Sequence, residues 1–463
     1  MRSMVERVLA EYAVREREAP FSDAVLHQAK RAVIDWFAAM LPGAGKPPAT
    51  SIAEALADEL HRGGAVIYPS GVRTSPRTAA LINGTAAHLV EFDDIFRDAI
   101  YHPGAPVIAA ALAAGESVGA SGREILTAVI VGYEISTRIA VALTPAHYKY
   151  WHTTGTVGTF GAAAAACTIL ELDAPRIAHA LATAATFGAG LQQAFRADAM
   201  SKPLHSGRAA EAGVLAALLA ANGVTGATGM FDGERGIGRA MSTNADWSRA
   251  VEELGERYNI MSVTVKNHAC CGHTFAAIDG ALALRRREGI RADEIEQVAV
   301  DTYQTALDVT GNHDPATEFE AKFSLPFVVS SALVHGSVRL DAFTPERLSD
   351  PAVRRLMSSF QLRADPEMNA AFPGRRSARV RLRTRGGEEL EYFQPTRRGD
   401  PDLPLTDEEL DEKFRELAIP VLGSERGERL LGTLWSLDSA HSPLTVEWDA
   451  NEEPLPLITG SGT

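Results

Sequence analysis

Cysteine is nearly absent from this 463-residue chain: Cys167, Cys270 and Cys271 are an odd and sparse set. That excludes a disulfide framework and points to a reducing compartment. No CxxC pair occurs, and the side chains of adjacent Cys270 and Cys271 diverge, so the mixed cluster VKNHACCGHTF is a poor zinc or iron–sulfur site and no metal is expected. Long hydrophobic runs are also missing. No stretch approaches the roughly 18 to 20 unbroken apolar residues that a bilayer demands. The opening MRSMVERVLAEYAV scatters charge through its apolar residues and lacks the apolar core of a signal peptide, so a cytoplasmic location is expected. Basic charge is in deficit, with 45 Lys and Arg against 59 Asp and Glu and a net charge of -14. This argues against nucleic acid or an anionic membrane as partner, while an acidic small molecule stays compatible if a local basic pocket overrides the global field. Repeats and low-complexity tracts are absent.

What is present is enough apolar material, 46% of residues, for a large core. The chain is longer than the roughly 250 to 300 residues at which single cores stop growing, so two domains are expected. From Ser22 to about Val265, alanine-rich segments such as DAVLHQAKRAVIDWFAAML, REILTAVIVGYEISTRIAVAL and GTFGAAAAACTILEL repeat apolar positions at three and four, and several are apolar nearly all round. They read as helices buried inside a large helical domain. The texture changes after that. Val298 and Val300 sit two apart on one face of a predicted strand within EIEQVAVDTY, and SARVRLRTRGGEELEYF is a hairpin pattern around Gly386 and Gly387, while SLPFVVSSALVHG and TPERLSDPAVRRLMSSF read as helical. An α+β unit over 266–404 follows. In TDEELDEKFRELA, Thr406 and Glu409 form a capping-box pattern that starts a helical tail.

The densest chemistry lies in HLVEFDDIFRDAIYHPGAPVIAAALA, from His88 to Ala113. It reads as a helix, a short loop and a second helix, with His88, Glu91, Asp94 and Ile95 on one helical face and His102 held in a stiff loop before Pro103. The alternative is a helix end with solvated acids, which the unfavourable placing of negative charge at a helix C-terminus weighs against. In HYKYWHTTGTVGTFG, His147, Lys149 and His152 precede a helix whose first turn is Thr153 to Thr156. Free N–H groups at such an end receive anions, beside which His152 is placed to meet a carboxylate. Gly155, Gly158 and Gly161 lack the GxG pair and the preceding strand of a dinucleotide fingerprint. In SKPLHSGRAAEAG, Lys202, His205 and Arg208, with Arg196 upstream, form a basic group between apolar helices. Burying it without an anionic partner is expensive, which favours an anion site over a set of caps and salt bridges. His273 reads as a polar contact at a helix start. Lys322, before an apolar helix, is either a snorkelling lysine or a contact to substrate.

Taken in order, HLVEFDDIFRDAIYHPGAPVIAAALA, GYEISTRIA, HTTGTVGTFGAAAAA, SKPLHSGRAAEAG and KFSLPFVVSSAL resemble the MmgE/PrpD family, which includes 2-methylcitrate dehydratase, cis-aconitate decarboxylase and iminodisuccinate epimerase. The resemblance implies a mainly α protein: a large all-helical domain over 1–265, completed by 405–463, with a smaller α+β lid domain over 266–404 inserted. It implies a homodimer, a site between domains, and neither metal nor organic cofactor. Carried over by motif, Glu91, His102, His152 and Lys202 take catalytic-pocket roles, and His273 falls in the lid motif. Phe275 falls where many members carry histidine. Two departures stand out: Glu91 where relatives have aspartate, and Ile95 where they have threonine.

The activity so implied is removal of a proton next to a carboxylate of a small di- or tricarboxylate, which needs a base within reach and cations for the carboxylates. His152 is the expected base. Lys202, His102 and Arg208 are expected to hold carboxylates, with Asp94, His205, His273 and Lys322 as further substrate contacts and Glu91 orienting a histidine or protonating a leaving group. A 2-methylcitrate-dehydratase-like lyase is the leading expectation, followed by an iminodisuccinate-type epimerase and a cis-aconitate-type decarboxylase. A non-catalytic helical binding protein, which would expose an apolar surface in place of such a pocket, comes last.

Overall fold

The computed structural model describes residues 5–18, 20–195 and 199–440, and the protein is mainly helical. Arg196, one of the basic group singled out above, lies outside the described residues. The chain divides into two compact units, one made of 1–263 with 406–463, the other of Thr264–Leu405.

At the centre of the first unit is the Thr153–Ile169 helix, buried along its whole length. Its run of glycine, alanine and threonine presents no polar face, so it is covered all round, as a helix without amphipathic pattern must be. The helices Gly104–Val118, Gly122–Leu143 and Ser201–Ala221 pack against it. Gly122–Leu143 is long and apolar enough by composition to cross a membrane, but 94% of its apolar window is buried inside this unit. Pro76–Leu89 packs closely along Ser201–Ala221. Gly207 makes that approach possible: a Cβ there would stand 2.0 Å from Thr85 Oγ1 and 2.2 Å from the Leu81 carbonyl oxygen. The C-terminal end of the first helix is thereby brought to the N-terminal end of the second.

The Asp407–Leu422 helix starts at the expected capping box, Thr406 accepting from the Glu409 N–H while Glu409 accepts from the Thr406 N–H. It packs on Asp23–Ala44. At that contact the fully buried Lys413 donates to Asp35 Oδ1 at 2.6 Å and to the Phe92 carbonyl at 2.9 Å, with its ammonium 4.2 Å from the centre of the Phe92 ring.

The second unit is α+β. Its four-stranded sheet runs in the order Phe360–Ala364, Ile295–Thr302, Ala378–Thr384, Glu389–Gln394. The first pair is parallel and the others antiparallel, with Val298 opposite Phe360 and Leu382, and Val300 opposite Leu362 and Val380. Val298, Val300, Val380 and Leu382 are buried, and Phe275–Glu288 packs on Ala378–Thr384 and Glu389–Gln394. The Gly386–Gly387 hairpin is where the sequence places it, and Gly387 takes a positive φ of 85° there. Two features depart from expectation. A short antiparallel pair, Ala65–Ile67 with Val72–Thr74, sits within the helical half. Phe360, read as the end of a helix, instead opens a strand. Ala65–Ile67 and Val72–Thr74, at three residues each, are too short to show a period of two.

Candidate active site

The Pro76–Leu89 helix stops one residue after His88, so the helical face drawn through Glu91, Asp94 and Ile95 does not exist. Glu91 has φ 60°, the left-handed conformation that usually ends a helix at glycine and costs a residue with a Cβ about 1–3 kcal/mol. The connection is also longer than the short loop expected. Phe96 and Tyr101 exchange backbone hydrogen bonds around a single 3₁₀ turn before Gly104–Val118 begins. The reversal at Glu91 sends the acids to separate places.

Glu91 forms a close ion pair with Lys202, in the first turn of Ser201–Ala221, and both are buried, at 4% and 3% exposure. Asp93 turns the other way: its Oδ2 accepts from His88 Nδ1 at 2.6 Å and lies 3.2 Å from His102 Nδ1. A carboxylate only accepts, so the His88 proton sits on Nδ1 and Nε2 carries the bare lone pair. Nε2 makes no hydrogen bond among the described residues. The His88 ring is edge-on to His102, with centroids 4.8 Å apart, and stacks on His152 at 5.5 Å and 22°. His152 is the residue before the Thr153–Ile169 helix, as expected, and its Nδ1 stands 3.1 Å from Nδ1 of His205, one turn beyond Lys202. The His102 N–H donates to Thr154 Oγ1 at 3.2 Å. Four histidines, two carboxylates and a lysine thus meet where two helix starts and one helix end converge.

The electrostatics favour neutral imidazoles at His88 and His152. Burial, with a smaller push from Lys202, brings His88 down to about 3 against the opposing pull of Asp93. Burial and then the neighbouring His88 hold His152 well below its ordinary value. Neutral imidazoles carry one donor and one acceptor each at neutral pH, which suits proton transfer in either direction.

Two expected substrate contacts are corrected. Asp94 is structural: Oδ1 accepts from the Gly104 N–H at 2.9 Å and Oδ2 from the Tyr133 hydroxyl at 2.7 Å, which fixes the start of the Gly104–Val118 helix. Burial raises its carboxyl to about 7. Arg208 lies on the exposed side of its helix, paired with Glu211 at 2.7 Å, outside the cluster. His273 and Lys322 belong to the second unit. There His273 Nδ1 bonds to the Tyr303 hydroxyl at 2.8 Å, and Lys322 pairs with Glu318 at 2.9 Å under 4% exposure, which rules out snorkelling. Conversely, His88 and Asp93 belong to the cluster and were not selected. A histidine and an acid five apart across a helix end carry no periodic signal.

His147 is a structural neighbour. Its Nδ1 donates to the Met241 carbonyl at 3.1 Å, so Nε2 accepts from Thr156 Oγ1 at 2.7 Å. Burial lowers its pKa to about 4. Because the unfolded imidazole protonates near 6.5 and the folded one near 4, stability is full above pH 6.5 and is lost as pH falls between those values. His88 and His152 act in the same direction. His147→Gln is expected to flatten the acid limb of a denaturation midpoint measured from pH 7 to 4; an unchanged slope would remove His147 from this account.

Among the described residues, ligand-type groups meet at a place away from the cysteines. Burial pushes the Cys270 thiol up to about 12. The trio His88, Asp93 and His102 has its ligand atoms within 4.8 Å of one another. Its 2.6 Å histidine–carboxylate bond is that of an orienting pair, with Nδ1 already protonated.

Fold and cluster together describe a mainly helical protein whose first unit gathers imidazoles, carboxylates and a buried ammonium at one place. Residues 7–250 match the MmgE/PrpD N-terminal domain and residues 268–438 the MmgE/PrpD C-terminal domain, and the chain belongs to the MmgE/PrpD family. Among its relatives, the cis-aconitate decarboxylase-like protein oryM of Aspergillus oryzae is 29% identical over 442 residues, 90% of this chain and 91% of that one. The human cis-aconitate decarboxylase is 29% identical over 441 residues, 90% and 88% of the two chains. An Aspergillus terreus cis-aconitate decarboxylase is 25% identical over 442 residues, 89% of each.

Proposed function

We propose that this protein is a lyase that removes carbon dioxide from a cis-aconitate-like unsaturated polycarboxylate, using its own side chains as acid and base. The observation that carries the reading is the buried Lys202–Glu91 pair set among His88, His102, His152 and His205. The relatives' names support decarboxylation over the dehydration that the motifs alone put first. Loss of carbon dioxide breaks one carbon–carbon bond and leaves its electron pair on carbon, conjugated with a remaining carboxylate. One proton must then be delivered to carbon, so one proton is consumed per turnover. Lys202 offsets the charge of the retained carboxylates and of the spreading electron pair. His152, neutral and buried, gives the proton. Asp93 holds His88 in one tautomer against the His152 ring, and Glu91 holds the Lys202 ammonium in place.

Incubation with cis-aconitate in deuterated water tests the reading. The expected outcome is stoichiometric carbon dioxide and one deuterium in the product by NMR. Water addition or elimination without carbon dioxide, or inversion of an iminodisuccinate centre alone, would overturn it in favour of a dehydratase or an epimerase. His152→Gln is expected to lower kcat roughly 10²–10⁴-fold, the usual contribution of a positioned acid or base. A variant that still labels its product at the wild-type rate would take the proton-donor role away from His152.

A further inference from the structure

We infer that the first turn of the Thr153–Ile169 helix is a carboxylate-binding site, in which the N–H groups of Thr153 and Thr154 and the hydroxyl of Thr153 hold a carboxylate that the substrate keeps through the reaction; this rests on the reading of the substrate as a polycarboxylate. A 17-residue helix begins there, and no helical carbonyl can meet the N–H groups of its first turn. Those of Gly155 and Thr156 donate to the His152 carbonyl, at 2.9 and 3.1 Å. Those of Thr153 and Thr154 make no hydrogen bond among the described residues, although both residues are fully buried. The N-cap position ordinarily supplies an acceptor from serine, threonine, aspartate or asparagine. Here it is His152, whose side chain caps nothing.

A side chain gives a second, independent sign. Thr153 Oγ1 is fully buried and has no hydrogen-bond partner among the described residues. Helical Cα–Cβ bonds tilt toward the helix N-terminus, so the hydroxyl of the first helical residue leans to the same end as the two unmet N–H groups. The other hydroxyls of this turn are in use: Thr154 Oγ1 accepts from the His102 N–H at 3.2 Å, and Thr156 Oγ1 bonds to His147 Nε2 at 2.7 Å. Buried N–H groups are nearly always paired, so two unmet ones beside an unmet hydroxyl mark a place for an acceptor that the protein does not itself supply. The carboxylates of the cluster are turned elsewhere, Glu91 to Lys202 and Asp93 to His88 and His102.

Charge identifies the missing acceptor as an anion. The partial positive charge of a helix start favours one, and the Lys202 ammonium is felt at both His88 and His205, whose rings lie against that of His152. A carboxylate offers about four lone-pair directions on two oxygens, enough for three donors. A carboxylate that departs as carbon dioxide loses its charge on the way, so donors gripping it would stabilise the starting state and slow the step. The grip therefore belongs to a carboxylate that the product retains, and it sets the substrate beside the adjacent His152.

Tricarballylate, a saturated tricarboxylate with no double bond to take up an electron pair, tests the site without turnover. In ¹⁵N-labelled wild-type protein it is expected to move the amide proton signals of Thr153 and Thr154 downfield in a saturable way, while its uncharged trimethyl ester leaves them in place. Signals that stay put, or that move equally with the ester, overturn the site. Thr153→Val removes the hydroxyl at nearly constant shape and is expected to weaken tricarballylate about 10-fold, the usual loss of one hydrogen bond to a charged group, whereas Thr153→Ser keeps binding within about threefold of the wild type. An unchanged Kd in Thr153→Val takes the hydroxyl out and overturns the proposal. With cis-aconitate the same variant is expected to raise KM about 10-fold and to leave kcat within about threefold. A lowered kcat at unchanged KM would make Thr153 a structural support of His152 and also overturn it. Amide shifts with tricarballylate in a protein that leaves cis-aconitate untouched uphold the site and sink only the substrate assignment.

Discussion

Lys202→Met is expected to lower kcat/KM on the true substrate by about a thousandfold, at the upper end of the loss when one preorganised charge-stabilising group is removed. Lys202 is buried beside Glu91, held at the first turn of a helix that Gly207 allows to pack tightly on the helix ending at His88. The same change takes the lysine from a buried carboxylate, a loss that costs about 3–5 kcal/mol in comparable pairs. Activity and stability therefore fall together, and a double variant separates them. Lys202→Met with Glu91→Gln removes both charges and should regain most of the stability while staying inactive. Steady-state kinetics with a guanidinium denaturation series on both proteins checks this. If Lys202→Met kept activity within tenfold of the wild type, the charge-stabilising role would have to be given up.

The second large effect is expected far from the cluster in sequence. Lys413→Met should destabilise the first unit by about 3–5 kcal/mol, because Asp35 loses the ammonium that compensates it in a fully buried position. It should also lower kcat, since the same ammonium donates to the carbonyl of Phe92, the residue between Glu91 and Asp93. That turn carries a positive φ at Glu91, a conformation that persists only where its surroundings hold it. Chemical denaturation and kcat for Lys413→Met, measured at a temperature where the variant is fully folded, give the two quantities separately. A variant that loses stability but keeps wild-type kcat would mean that the turn needs no tether.

Much of the helical half was legible because its signals are local. The capping box at Thr406 and Glu409 and the helix start after His152 both formed where the residues indicated. The buried Thr153–Ile169 helix has no amphipathic pattern because no face of it meets water, and the sequence says so directly. Glu91, His102, His152, Lys202 and His205 come together as a cluster, although they were picked out on three separate motifs. Asp94 and Arg208 were misread for different reasons. Periodicity was extended past Leu89 in the first case, and a basic residue was assumed to face inward with its neighbours in the second.

By itself, then, the sequence determined most of the helical segments, the cap that opens the Asp407–Leu422 helix and which family the chain resembles, since propensity, capping and motif order act over a few residues. Tertiary structure alone decided which acid does what. The helix ends at Leu89 and the chain reverses at Glu91, so Glu91 meets Lys202, Asp93 meets His88 and His102, and Asp94 caps a different helix. That reversal is held in part by Lys413, 321 residues away, and no local pattern can report a bond across such a distance.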